Sequence, residues 1–172
     1  DPPVELTIQV NLNDESGAAG LVFHAEGGDN HYGFYPSNGQ LRLTCFNGAT
    51  VNDWHILEKK PSSNYRPGEW NQLRVRVDRN KLECFVNNQL VMESADTTLA
   101  SGKVGLAKFR DTEAEFKQFQ VAKQVSLPSE SPAIQQLNDE IEKLTDLTKL
   151  PSQQLTSWAA LGDTAVSSLR QR

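Results

Sequence analysis

The sequence predicts a mainly β fold, an antiparallel β-sandwich followed by a C-terminal α-helical hairpin. Every aromatic residue except Trp158 and every glycine except Gly162 lies before residue 126, a composition that suits strands and tight turns. Short alternating segments fill that part, and no helical segment separates them, so the crossover helices of a parallel sheet are missing. We therefore predict a sandwich over 1–125. Residues 126–172 are predicted to form a helical hairpin, a linker or the start of a next domain.

Alternation of apolar and polar residues defines the first strands. Polar residues alternate with four apolar ones, Leu6, Ile8, Val10 and Leu12. This alternation predicts a strand with one buried face and one solvent-exposed face. Strands are also predicted at 21–25 and 31–35, on either side of a glycine-containing turn. In the next strand three residues share the inner face: Leu41, Leu43 and Cys45. Residues 47–64 are mostly polar and are interpreted as a long loop with room for one short strand.

A second group of strands is set by two tight turns, Arg79-Asn80 and Asn87-Asn88. The first turn fixes the register of a hairpin. The predicted inward pairs are Val77 with Leu82, Val75 with Cys84, and Leu73 with Val86, and the outward pairs are Arg76 with Glu83 and Arg74 with Phe85. Trp70, which opens the first strand of this hairpin, is predicted to lie in the core. The last strands are expected at 104–109 and 116–121.

The remainder of the chain has the spacing of amphipathic helices. Ser131-Pro132 is a favourable helix start, and apolar residues follow at spacings of three and four: Ile134, Leu137, Ile141 and Leu144. Pro151 ends this helix, and Ser152 caps a second one. Two helices cannot bury both apolar seams by themselves. We expect the hairpin to pack on itself and the sandwich, or on another domain or chain.

Composition and charge exclude several classes of function. The formal net charge of −5 argues against a nucleic-acid partner, and no segment approaches the length of a membrane span. Two cysteines cannot form a disulfide framework or a cysteine-based zinc site. Cys45 and Cys84 both fall on inward registers, which favours buried free thiols over a disulfide, although the sequence leaves the pairing open.

Several segments carry a family resemblance. Tyr65-Arg-Pro-Gly-Glu-Trp-Asn leads into the alternating hairpin, and Ser101-Gly-Lys-Val-Gly-Leu106 and Ala114-Glu-Phe-Lys-Gln-Phe-Gln-Val121 follow it. This run resembles the concanavalin A-like, or laminin G-like, jelly rolls of bacterial secreted proteins, including a related family that acts on 3-keto-glucosides. The resemblance covers about residues 5–122. It implies a jelly-roll sandwich that begins with further strands upstream. It also implies a larger protein that is extracellular, periplasmic or at the cell surface.

Two departures from the family pattern matter for chemistry. Glycosidases on this fold carry Glu-x-Asp-x-x-Glu on one strand, and no such run exists here. Calcium-binding relatives often place Asp after the Phe of the last strand, whereas Lys117 follows Phe116 here. We therefore assign no catalytic residue, no metal and no cofactor. Asp111, Glu113 and Glu115 are predicted to share one strand face, more as solvated carboxylates than as an acid–base pair.

Six residues are candidates for ligand binding: Trp54, His55, Asn47, Tyr35, His24 and His31. An exposed aromatic ring beside amides, as at Trp54 and Asn47, suits a sugar ring. The alternative is that Trp54 folds back over the core. His24 and His31 flank one turn and, with Asp29, would make an open metal site, but hydrogen-bonded surface histidines are the more common outcome.

Three functions remain open at this stage. The first is a non-catalytic module that binds carbohydrate or a protein partner through its loops and concave sheet. The second is a glycoside hydrolase or lyase-like enzyme acting on a (3-keto-)glucoside, which needs an ordered carboxylate or histidine site. The third is a structural or assembly domain whose helical hairpin contacts another chain.

Overall fold

The computed structural model describes residues 3–124. The predicted helical hairpin at 126–172 lies outside the described residues. The strands of the described part are β1 Val4–Leu12, β2 Ala18–Ala25, β3 Asn30–Ser37, β4 Gln40–Asn47, β5 Trp54–Lys60, β6 Asn71–Asp78, β7 Lys81–Val86, β8 Gln89–Ser94, β9 Lys103–Phe109 and β10 Ala114–Ala122. A short 3-10 helix, Val51–Asp53, precedes β5.

These strands form two five-stranded antiparallel sheets that pack as a sandwich. The front sheet has the order β5-β4-β3-β2-β9, and the back sheet has the order β10-β1-β6-β7-β8. The predicted mainly β sandwich is therefore confirmed. Within the described residues, no helix has the length and apolar character needed to cross a membrane.

The core lies between the two sheets and follows the predicted alternation. Its largest completely buried side chains include Tyr32, Phe23, Phe34, Leu6, Ile8, Leu41, Leu43 and Leu73. The outer side of β1 is more buried than predicted: Glu5, on that side, is only 4% exposed. Its carboxylate lies 3.5 Å from the guanidinium of Arg74 and 3.9 Å from that of Arg76, and this pairing offsets the cost of burying the charge.

The register predicted for the β6–β7 hairpin is confirmed at all five pairs. On the outer face, the guanidinium of Arg74 lies 3.8 Å from the ring centroid of Phe85, so that pair is a cation–π contact. Asn87 and Asn88 have φ angles of 49° and 70°, the left-handed conformation that asparagine tolerates best after glycine. The Arg79-Asn80 turn joins β6 to β7 and fixes the β6–β7 register locally, whereas Asn87-Asn88 joins β7 to β8.

The predicted loop over 47–64 contains the one short strand for which the sequence left room. Trp54–Lys60 is strand β5, which pairs with β4 along its length. Because β5 is the edge of the front sheet, its side chains are mostly polar, and the apolar pattern that marks an inner strand is absent.

Two predictions are wrong. Asp111 and Glu113 precede β10, so they do not share a strand face with Glu115. Trp70 is 37% exposed, and the Lys117 ammonium lies 3.7 Å from its ring centroid. Trp70 lies before β6 begins, so the inward register of that strand does not apply to it.

Both cysteines are free and buried, as the registers indicated. Cys45 belongs to β4 of the front sheet and Cys84 to β7 of the back sheet. Burial raises the pKa of both thiols, Cys84 strongly. Neither is therefore an activated nucleophile.

A buried amide pair organises the turn that leads into β6. The Asn71 side chain accepts a hydrogen bond from the Arg66 backbone N–H at 2.9 Å and donates to the Arg66 carbonyl at 2.7 Å and the Glu69 carbonyl at 2.9 Å. The Asn87 amide donates to Asn71 at 3.0 Å and accepts from the Gln72 backbone N–H at 2.8 Å. These contacts give a structural role to the Trp-Asn dipeptide of the resemblance.

We expect Asn71→Ala to lower the free energy of unfolding by about 1–3 kcal/mol, because it removes the hydrogen bonds that this buried amide makes to the Arg66 and Glu69 backbone and to Asn87. Urea denaturation measures the difference. Asn52→Ala, at an exposed position of the short 3-10 helix before β5, is the matched control and should change stability by less than about 0.5 kcal/mol. Equal effects of the two substitutions would contradict the role of Asn71.

Candidate functional site

The outer side of the front sheet carries a cluster of rings. We call this cluster the aromatic face, and its members are His31, Tyr35, Phe46, Trp54 and Phe109. They come from four neighbouring or nearly neighbouring strands, β3, β4, β5 and β9. Side chains alternate along each strand, so the residues next to the core positions point to this opposite side.

Phe46 is the centre of the aromatic face. Its ring stacks on His31 with centroids 4.6 Å apart and on Phe109 at 5.5 Å, and it meets the indole of Trp54 edge to face at 5.3 Å. Tyr35 closes the group with a tilted contact to Phe109 at 4.8 Å. Ring contacts of this kind add about 0.5–1.5 kcal/mol each beyond simple burial, so the cluster is a rigid surface.

The absence of side chains below the rings allows this packing. A Cβ atom built on Gly33 would lie 3.1 Å from the rings of both Phe46 and Tyr35. A Cβ atom on Gly20 would lie 2.3 Å from the Phe34 carbonyl oxygen. Gly33 in β3 therefore lets the rings lie against the backbone of the sheet, and Gly20 in β2 allows the close approach of the β3 backbone.

Trp54 is the most exposed ring of the aromatic face, at 42%. Its indole N–H donates to the Gly48 carbonyl at 3.3 Å, which fixes the ring orientation. The loop that holds it is itself ordered: the Asp53 carboxylate accepts from the Thr50 backbone N–H at 3.1 Å and from its hydroxyl at 2.6 Å. These hydrogen bonds lower the pKa of Asp53. The prediction of an available Trp54 ring agrees with this geometry, whereas a lid over the core does not.

Polar groups border the rings. The Tyr35 and Thr44 hydroxyls are hydrogen-bonded at 2.9 Å. Arg42 of β4 is paired with Tyr35 of β3 and with Lys59 of β5. The Nε atom of Arg42 has no hydrogen-bond partner among the described residues. This end of the aromatic face therefore offers a guanidinium and an ammonium group, whereas the two hydroxyls are buried and hydrogen-bonded to each other.

His31 is buried in the aromatic face. Burial lowers its pKa, against the opposing effect of a hydrogen bond with the Gly28 backbone. Its Nε2 atom is buried and has no hydrogen-bond partner. The imidazole is therefore neutral near pH 7.

His55 and His24 lie apart from the aromatic face. His55 is exposed and paired with Cys45, so it points to the opposite side of β5, near Asp96. His24 sits at an irregularity in the β2–β9 pairing, and its Nδ1 atom lies 2.7 Å from the Leu99 carbonyl oxygen. Because a carbonyl only accepts, Nδ1 is the protonated nitrogen.

The structure thus brings together three of the six predicted residues, Trp54, Tyr35 and His31. Asn47 ends β4, exposed and paired with Asn30. Sequence reasoning missed Phe46 and Phe109. Phe46 carried a usable signal, since it alternates with the inward Cys45. Phe109 carried none, because its place depends on the non-local pairing of β9 with β2.

The metal site weighed for His24, His31 and Asp29 has no counterpart here. One imidazole turns to Leu99 and the other stacks on Phe46. In the part of the chain that the structure describes, no three His, Cys, Asp or Glu side chains group closely enough to hold a metal ion.

The carboxylate of Asp96, near His55, is hydrogen-bonded to a buried core residue. The hydroxyl of the buried Tyr32 donates to Asp96 and accepts from the Leu99 backbone N–H at 3.1 Å. Partial burial alone would raise the pKa of Asp96, but hydrogen bonds from Tyr32 and Thr98 outweigh it and hold the pKa below its usual value. Tyr32 and Asp96 thus tie the β8–β9 loop to the core.

This depressed pKa gives a pH dependence. An ionised Asp96 stabilises the fold above its unfolded pKa, about 3.9, and that contribution disappears as the pH falls through the lower folded pKa. We expect Asp96→Asn to destabilise the protein near pH 6, and the difference from wild type to shrink below about pH 4.

Urea denaturation at several pH values measures this difference. Asp111→Asn, in an exposed turn, is the matched control. A stability difference for Asp96→Asn that stays constant from neutral to acid pH would contradict the assignment.

The fold is similar to that of several solved proteins. A carbohydrate-binding module, CBM66 from Bacillus subtilis, aligns with a TM-score of 0.61 and 14% identity, covering 70% of this chain and 75% of that one. Sheep galectin-11, solved in complex with glycerol, aligns at 0.52 with 19% identity, covering 70% and 90%. Caenorhabditis elegans galectin LEC-6 aligns at 0.53 with 10% identity, covering 71% and 84%. Identities this low establish the fold alone.

Sequence comparison identifies the family. A search of curated proteins gives no match to this chain. The family model described as the 3-keto-alpha-glucoside-1,2-lyase-like domain matches residues 3–122, which covers all but the last two of the described residues. The resemblance drawn from the Pro-Gly turn, the Trp-Asn dipeptide and the Gly-x-Val-Gly-Leu strand is confirmed, and the chain belongs to the family of 3-keto-alpha-glucoside-1,2-lyase-like domains.

Proposed function

We propose that this chain is a carbohydrate-binding module whose ligand lies on the aromatic face. The observation that carries the proposal is the exposed indole of Trp54, held by Phe46 and by the Gly48 carbonyl. A fixed, half-exposed ring is suited to the apolar C–H face of a sugar, because little conformational entropy is lost when the sugar stacks on it.

The neighbouring residues extend this surface. Ile56, 52% exposed, lies two positions along β5 and pairs with Thr44 on the same side. Arg42 and Lys59 supply donors for hydroxyl groups at the border of the rings. An apolar platform with a few polar groups beside it is the usual composition of a sugar site.

The comparisons support the proposal without deciding it. One structural neighbour is a carbohydrate-binding module, and two others are galectins. The proposal also includes the expected setting, a larger protein outside the cytoplasm, where a binding module would hold its parent on a glycan.

A second candidate, favoured by the family match, is a lyase acting on a 3-keto-glucoside. Elimination beside a keto group needs a base that removes a proton. His31 is the residue on the aromatic face suited to that role, because its ring is neutral and Nε2 has no hydrogen-bond partner. Nε2 is buried, however, so the ring has to move before a substrate reaches it.

Substituting Trp54→Ala should weaken glycan binding about five- to thirtyfold, since stacking of one aromatic ring contributes about 1–2 kcal/mol. A glycan array on the wild type selects the ligand, and isothermal titration calorimetry then measures both proteins. Circular dichroism checks the fold of the variant.

The matched control is Trp70→Ala, because Trp70 is a similarly exposed tryptophan, 37% against 42%, that flanks the back sheet. Unchanged affinity in Trp54→Ala, or an equal loss in Trp70→Ala, would contradict binding at the aromatic face.

Incubation with a 3-keto-α-glucoside separates the two candidate functions. As a binding module the chain should leave the substrate intact, as followed by NMR. Turnover that disappears in His31→Gln, with glycan binding retained, would overturn the non-catalytic assignment in favour of the lyase.

A further inference from the structure

A cleft of about 660 Å³ lies away from the aromatic face, where the edges of the two sheets meet. Its walls come from the start of β1, the end of β10 and the segment 100–104 that leads into β9. Val4, Val104 and Val121 make an apolar lining, and His24, Ser101, Lys103 and Lys123 contribute polar groups. This size and mixture are typical of sites for small molecules.

One wall of the cleft has an unusual backbone. His24 has a φ angle of +50°, rare for a residue other than glycine, at the point where the β2–β9 register shifts. Gly102 has a φ angle of +146°, and a Cβ atom there would lie 2.6 Å from the carbonyl carbon of His24. The backbones at His24 and Gly102 are therefore in close contact, which leaves no room for a side chain at position 102.

The His24 ring is held in that arrangement. It is 7% exposed, and its Nδ1–H donates to the Leu99 carbonyl at 2.7 Å. The remaining nitrogen, Nε2, is an acceptor in the neutral ring and suits a hydroxyl donor.

The charged residues that line the cleft are positive. Lys103 and Lys123 line it, and none of its described lining residues is acidic. Neither lysine forms an ion pair with a described residue. In a protein whose net charge is −5, two lysines without an ion-pair partner among the described residues, beside an apolar pocket, favour an anion.

We propose that this cleft is a second ligand site for a sugar-sized molecule bearing an oxyanion, a carboxylate or a phosphate. Lys103 and Lys123 pair with the oxyanion, and His24 accepts a hydrogen bond from a hydroxyl group. The valines cover the apolar part of the ligand. This site does not depend on carbohydrate binding at the aromatic face.

Titration of the full chain with three probes tests the proposal: glucuronate, glucose 6-phosphate and glucose. We expect at least one acidic probe to bind at least tenfold more tightly than glucose, with an affinity that falls as salt rises. The acid that binds more tightly identifies the oxyanion.

The double substitution Lys103→Gln and Lys123→Gln should reduce that affinity about tenfold or more, whereas Lys108→Gln, on the exposed part of the same strand β9, should not. Thermal unfolding confirms that the variants remain folded. Trp54→Ala should leave the binding of the acidic probe unchanged, which separates this site from the aromatic face.

Equal affinity for glucose and both acids, retention of affinity in the double variant, or an equal loss in Lys108→Gln would each overturn the proposal. Absence of binding by every probe would do the same.

Discussion

Alternation along β3 and β4 is the constraint on which the rest of this structure depends. In these two strands of the front sheet, the inner positions hold large residues such as Tyr32 and Phe34, and the outer positions hold rings as well. A sandwich needs only the inner set to form its core. The outer rings of Tyr35 and Phe46 therefore require another explanation, and ligand binding is the one proposed here. Gly33 makes both sets compatible, because it lets the outer rings lie on the sheet.

The sequence predicted those parts of the fold that local chemistry specifies. The β6–β7 register followed from one two-residue turn and the strict alternation of Leu73, Val75 and Val77. The fold class followed from many short strands without intervening helices. Local signals were sufficient there because antiparallel neighbours are joined by tight turns.

Where local patterns compete with tertiary context, the sequence was less informative. The edge strand β5 lacks an apolar pattern because only one neighbour pairs with it. The sequence around Trp70 predicted a core residue. Its ring instead contacts the ammonium of Lys117 in β10, which is distant in sequence. Three of the six predicted ligand residues meet on the aromatic face. His55 lies on the opposite side of β5, and the His24 ring is hydrogen-bonded to the Leu99 carbonyl, so neither joins them.

The central claim is that a sugar lies on the aromatic face. The most direct measurement is an NMR titration of the isotopically labelled chain with the glycan that binds most tightly. Binding there predicts shifts that are largest for the Trp54 indole N–H and for backbone amides of β3, β4 and β5. Shifts confined to the back sheet, or an unchanged Trp54 signal at saturation, would contradict the account.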